Sequence, residues 1–188
     1  LGASMSAGFG TGRTLADILD AAIRADHEVV DTADPHYFRK ALELARKSTA
    51  ELKARDCTLV VGLDYIFWFA YGKKTLAERQ RDLAEGLRLL EDFASPILLG
   101  DLPDMEGASE EMIPGEAIPP AGELAELNQA IAAWAQGHAH VRILPLSAWV
   151  ASLKAGKPIA IGSARKTLEA LQVLQDDGLH PTERGQIV

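Results

Sequence analysis

The sequence holds a single cysteine, Cys57, which excludes an internal disulfide and a cysteine-built zinc framework. No apolar run approaches the roughly 20 residues needed to cross a bilayer, so no transmembrane span is expected. Positive charge is scarce: 19 Lys and Arg stand against 27 Asp and Glu, a formal charge of −8. A phosphate backbone demands clustered cations, and no basic stripe occurs, so nucleic acid is not an expected partner. Glycine is missing altogether between Gly12 and Gly62. The sequence as given opens at Leu1 without Met or a signal-like segment, so no address is expected to be read from it. What is present is the balance of a folded domain: 188 residues, 47% hydrophobic and 24% charged, enough to bury a sizeable core.

Two kinds of segment alternate. Short β-branched or apolar runs at Glu28–Asp31, Thr58–Val61, Pro96–Leu99 and Val141–Leu144 read as strands. Between them lie stretches of helical period. The first carries Leu15, Ile18, Leu19, Ala22 and Ile23, led by Thr14 as N-cap. The second carries Phe38, Leu42, Ala45, Thr49 and Leu52 on one face, with Asp34 as N-cap and Pro35 at N1. The third carries Leu76, Leu83, Leu87 and Leu90, opened by Thr75 with Glu78 at capping-box spacing. A fourth has Leu124, Leu127, Ile131 and Trp134, and a fifth, after Ser163, has Leu168, Leu171 and Leu174. Such alternation predicts βαβ units and a parallel sheet covered on both faces, in one domain over residues 1–188. The stretch Pro103–Gly122 breaks the pattern with prolines, glycines and acidic residues. It follows a strand, so it is expected at the carboxyl end of the sheet, where open α/β sheets bind ligands.

Chemistry is concentrated in two short motifs. The opening Gly2-Ala3-Ser4-Met5-Ser6 sets a serine among small residues ahead of a helical pattern. At a sharp strand-to-helix turn such a serine is an exposed nucleophile whose own N–H faces a developing oxyanion; the plainer alternative is a Gly/Ser connection. The segment Asp177-Gly178-Leu179-His180-Pro181 places an Asp three residues before a His. The carboxylate can fold back onto the imidazole Nδ1–H and leave Nε2 free as a base; the plainer alternative is an acidic loop with a solvated histidine.

Taken together, the two motifs resemble the first and last blocks of the GDSL/SGNH hydrolase superfamily, Gly-Asp-Ser-x-Ser and Asp-x-x-His. Val60-Val61-Gly62-Leu63-Asp64 stands where that family's Gly-x-Asn block belongs. The resemblance implies a three-layer α/β/α flavodoxin-like fold with a five-stranded parallel sheet. Its activity is ester hydrolysis through a serine acyl-enzyme, with Ser4 as nucleophile, His180 as general base then acid, and Asp177 orienting His180. It requires no cofactor and no metal. The substrate is a small-molecule, glycan or lipid ester, the state a monomer or weak homodimer, and the location leans to the periplasm or outside the cell. It also implies a first strand before Leu1 and a chain that continues past both ends of this sequence.

Three departures bear on activity. Ala3 stands for the family's Asp beside the nucleophile, a change the turn tolerates. The family's second-block Gly has no counterpart, which leaves a backbone N–H near Thr32–Asp34 as a substitute donor. Asp64 stands where the oxyanion-hole Asn is expected, and an ionised carboxylate only accepts hydrogen bonds. The candidate oxyanion residues are therefore Ser4, Gly62 and Asp64, with three readings for Asp64. It caps the following segment, or it is protonated and donates, or it spoils the hole and leaves a carbohydrate- or lipid-binding domain of weak activity. On the first reading, Asp64→Asn preserves or raises turnover.

The run Tyr65–Tyr71 holds five of the chain's eleven aromatic residues. Such a run is core, a pocket wall or a dimer contact. Candidate pocket residues are Tyr65 and Trp68 from it, with Asp101 and Met105 beside the acidic loop. Cys57 reads as a buried inert thiol. His138 and His140 read as a solvated pair before a strand. Gly8-Phe9-Gly10-Thr11-Gly12 with Asp31 is a partial dinucleotide fingerprint, weakened by Arg13 where close packing wants Gly or Ala.

Overall fold

A computed structural model describes residues 1–161, 164–166 and 168–187. Three strands, β1 (Val60–Gly62), β2 (Ile97–Gly100) and β3 (Val141–Leu144), form a parallel sheet in the order β1-β2-β3. Val60 lies opposite Ile97, and Ile97 opposite Val141. Helices α1 (Leu15–Ala22), α2 (Ala41–Ala54), α4 (Leu76–Arg88) and α5 (Ala121–Gln136) occupy the expected periodic stretches, with a single-turn α3 (Phe67–Ala70) between β1 and α4. The capping box Thr75/Glu78 forms in full, and Thr14 builds a second one with Asp17. Each satisfies two of the four N–H groups that a helix start leaves without a partner.

The parallel sheet differs from the expected five strands: three are present among the described residues. Glu28–Asp31 is not a strand. Residues 28–31 and Val60 and Val61 both line a groove of about 280 Å³, and no ladder joins the two segments. A ladder needs neighbours about 4.8 Å apart, so the β-branched pair Val29-Val30 has no edge to join. The second helix also starts later than expected. Asp34 does accept the His36 N–H at 2.7 Å, but it opens a 3₁₀ turn at Tyr37–Arg39. Lys40, at φ −151°, then breaks the path before α2, and Phe38 is left exposed. Past β3 come α6 (Leu146–Lys154), an antiparallel ribbon of β4 (Ile159–Ile161) and β5 (Ala164–Lys166), α7 (Ala170–Val173) and α8 (Glu183–Ile187). The expected fifth helix is thus reduced to one turn, and Ser163 lies outside the described residues.

The core gathers the buried strand residues Val60, Ile97, Leu99 and Val141 with Leu83 and Leu87 of α4 and Leu127 and Ile131 of α5. α4 lies between α2 and α5. Most of the aromatic run is core: Tyr65, Ile66, Phe69 and Tyr71 are essentially unexposed. Two cations fix the backbone behind it. Arg79, itself buried, donates to the carbonyls of Ala70 and Gly72 and pairs with Glu123 at 3.2 Å; Lys74 donates to those of Trp68 and Phe69. These bonds satisfy carbonyls that so short a helix cannot satisfy itself. The Cys57 thiol is half-buried. His138 Nδ1 meets the Trp134 carbonyl at 2.7 Å. Among the described residues, no helix is long and apolar enough to cross a membrane, and no group of three His, Cys, Asp or Glu residues is arranged for a metal ion.

Candidate active site

Residues 3–9 form one helical turn, closed by Ala7 N–H to the Ala3 carbonyl (2.9 Å) and Phe9 N–H to the Ser4 carbonyl (3.0 Å). Ser4 stands at its start. The turn is held from the end of β1 by Asp64, which is buried. Asp64 Oδ1 accepts from Ala3 N–H (3.0 Å) and Ser6 Oγ–H (2.6 Å); Oδ2 accepts from the N–H groups of Met5 (2.9 Å) and Ser6 (3.2 Å). Four donors on one carboxylate is a charge-assisted cap. Its target corrects the sequence reading: Asp64 caps the preceding turn that carries Ser4, not the segment that follows. Glycine is required at position 2 because a Cβ there would overlap Asp64 Oδ1 and Ser6 Oγ.

From the other end of the sequence, the loop 174–182 brings in His180. Asp177 Oδ1 accepts the N–H groups of Leu179 and His180, both at 2.9 Å, and Oδ2 meets His180 Nδ1 at 2.7 Å. His180 Nε2 lies 2.8 Å from Ser4 Oγ. An ionised carboxylate only accepts, so Nδ1 carries the proton and Nε2 is the lone-pair nitrogen facing Ser4. Gly178, at φ +65°, lets the loop double back on itself. Gln175 ties the loop to the serine turn, its Nε2 donating to the carbonyls of Phe9 (2.7 Å) and Pro181 (2.8 Å). Ser109, in the acidic stretch, donates its N–H to the Asp177 carbonyl at 2.8 Å. The Phe9 ring lies over the imidazole with centroids 4.4 Å apart, and His180 is 4% exposed.

Burial raises the Asp177 carboxyl, but the N–H of His180, its imidazole and the N–H of Leu179 outweigh this and hold the group below the ordinary carboxylate value. A depressed folded-state pKa gives stability that is present above the unfolded value and lost as pH falls through the folded one. Wild type is therefore expected to melt above Asp177→Asn at pH 7, with the Tm gap closing below about pH 4. A gap unchanged down to pH 3 would contradict the ionised role.

The remaining expected residues separate clearly. Trp68, Asp101 and Met105 line a cavity of about 380 Å³ that opens onto Ser4 and His180. Tyr65 does not: its ring turns into the core and its hydroxyl donates to the Gly86 carbonyl at 2.9 Å. Asp101 also accepts from the N–H and hydroxyl of Ser147 at the start of α6. Gly62 is a buried strand residue outside the cavity lining. As a side-chain oxyanion donor Asp64 is corrected, since its oxygens accept from the turn. Two of the substitute donors are engaged: Ala33 N–H goes to Asp31 and Asp34 N–H to the Gly2 carbonyl, while that of Thr32 has no acceptor among the described residues. Of the N–H groups at positions 3–6, only that of Ser4 is not bonded to Asp64, and it has no acceptor among the described residues. Phe9, Gln175 and Ser109 escaped the sequence reading because each acts on a residue far away in the chain.

A short parallel sheet with a serine turn at one end and an Asp-x-x-His loop folded against it defines a GDSL/SGNH-like α/β fold. A solved structure from Desulfitobacterium hafniense DCB-2, described as that of a candidate lipolytic protein of the G-D-S-L family, matches it with a TM-score of 0.63. The match covers 100% of this chain and 91% of that one at 15% identity, a likeness that establishes the fold. No family model matches the chain, and no curated protein does.

Proposed function

We propose that this chain is a serine hydrolase that cleaves carboxylic esters through an acyl-enzyme. The observation that carries the reading is the relay Asp177–His180–Ser4, with contacts of 2.7 and 2.8 Å. Ser4 Oγ attacks the ester carbonyl while His180 Nε2 takes its proton; Asp177 stabilises the resulting imidazolium. The tetrahedral oxyanion accepts the free Ser4 N–H. Collapse expels the alcohol, which takes the proton back from Nε2, and leaves the acyl group on Ser4. Water, deprotonated by the same nitrogen, then releases the acid and restores the serine.

The test is incubation of the wild-type protein with a fluorophosphonate and, separately, with p-nitrophenyl acetate. The expected result is ester turnover with one label per chain, mapped to Ser4. No turnover and no label on Ser4 would sink the reading. A second reading, a carbohydrate- or lipid-binding domain of weak activity, draws on the oxyanion site. With Asp64 turned to the serine turn, no donor besides the Ser4 N–H has been placed there. Labelling of Ser4 without measurable turnover would favour it.

A further inference from the structure

Beyond the Ser4–His180 pair lies a second, smaller apolar cluster, separate from the main core. Ile159, Leu168 and Val173 are buried there, with Trp149, Leu153 and Leu174 packed against them. Across from it the main core presents Ile66, Phe67 and Met105. The cavity of about 380 Å³ lies between these two apolar walls, with Ser4 and His180 also in its lining.

Polar side chains are a minority of that lining. Asp64 is saturated by four donors of the serine turn, while Asp101 accepts one donor on each oxygen, both from Ser147. Gln186 Nε2 donates to the Met5 carbonyl, which leaves Gln186 Oε1 buried and unpaired among the described residues. With the remaining lone pairs of Asp101 and the indole N–H groups of Trp68 and Trp149, it makes a short list of spare polar atoms in an otherwise apolar lining. A sugar ring brings several hydroxyls, and burying them unpaired is costly. An aliphatic chain asks for no partner and gains from every methylene taken out of water.

We infer that the ester substrate carries an unbranched aliphatic acyl chain, which lies in this cavity between the two apolar clusters while its carbonyl sits at Ser4. The inference rests on the reading of Ser4 as nucleophile. The cavity volume holds on the order of ten methylene-sized units at about 30 Å³ each, the share of a water molecule in its liquid. The preferred acid is thus of medium length.

The experiment measures kcat/KM for p-nitrophenyl esters from acetate to palmitate. Two further arms use acetates of n-alkanols of the same lengths and an acetylated monosaccharide. Each added acyl methylene is expected to raise kcat/KM about three- to fourfold, up to about ten carbons, and little thereafter. Leu153→Trp, which adds bulk to the far wall, is expected to lower the decanoate-to-acetate ratio at least tenfold. A flat acyl series with Ser4-dependent acetate turnover would overturn the chain assignment and leave the hydrolase reading standing. A preference that follows the alcohol chain, or the acetylated sugar as the best substrate, would overturn it too. No turnover of any ester and no labelled Ser4 would overturn both. The wild-type series decides the matter even if the variant fails to fold.

Discussion

Ser4→Ala is expected to lower ester turnover on the order of a millionfold, and His180→Ala nearly as much. Each group is useless alone in the proposed chemistry: the serine hydroxyl needs a proton acceptor, and the imidazole has no other nucleophile beside it. Their 2.8 Å contact is the means by which the proton leaves Oγ as the bond to carbon forms. The double variant Ser4→Ala/His180→Ala should therefore be no slower than either single variant. What remains would come from substrate binding and the Ser4 backbone N–H, which the alanine retains. Ser4→Ala should melt close to wild type, whereas His180→Ala removes a buried ring stacked on Phe9 and takes a partner from Asp177, so its Tm should fall. The check is kcat for p-nitrophenyl acetate in the four proteins. Single losses that multiply in the double variant would show that the residues act independently, contrary to the proposed relay.

Asp64→Asn is expected to slow turnover about 10- to 100-fold and to destabilise the protein, the reverse of the sequence-level expectation. The carboxylate receives four donors from residues 3–6 on two oxygens. An amide has one acceptor oxygen, and its NH₂ must face donors on the other side. With that oxygen toward Met5 and Ser6, the buried Ala3 N–H is stranded, at a cost of about 1–3 kcal/mol. Turned the other way, two N–H groups lose their acceptor. Ser4 sits between Ala3 and Met5, so either outcome shifts the nucleophile. A displacement of about 1 Å costs on the order of 10²-fold in rate. Paired measurements of Tm and kcat check this. Turnover equal to or above wild type would restore the simpler view, in which an amide donor at position 64 completes the oxyanion hole.

These two sites mark where the sequence was legible. The Asp177–His180 pairing was suggested by spacing, because Asp177 reaches His180 within a single loop, whereas the placing of Ser4 against His180 came from the resemblance of the two end motifs. Thr14 and Thr75 were equally readable, since a capping box closes over four residues. Asp64 was visible as an anomaly, but its partners lie about sixty positions away, and nothing local says which donors it meets. The same holds for α6. Its N-cap position is Pro145, which has no capping side chain, and the carboxylate that serves it is Asp101, 46 positions from Ser147. The run at 65–71 shows a third kind of limit. Composition marked it as core or pocket wall, and it is both: Tyr65 points inward and Trp68 lines the cavity. That division is set by the turn after β1, which aims Tyr65 into the core, and by α3, which carries Trp68. For Glu28–Asp31, a strand-like pattern had no partner edge, and β propensity without a ladder makes no strand.

The pairing of Ser4 with a base 176 positions away also orders events in time. Contacts between distant residues carry the largest loop-closure entropy, so they form late in folding. The serine turn and Asp64 leave the ribosome before His180, which follows nearly all of the core. During synthesis the serine turn can thus be assembled while its hydroxyl has no imidazole beside it. On the proposed chemistry, the serine gains its base only after nearly all of the core has been made.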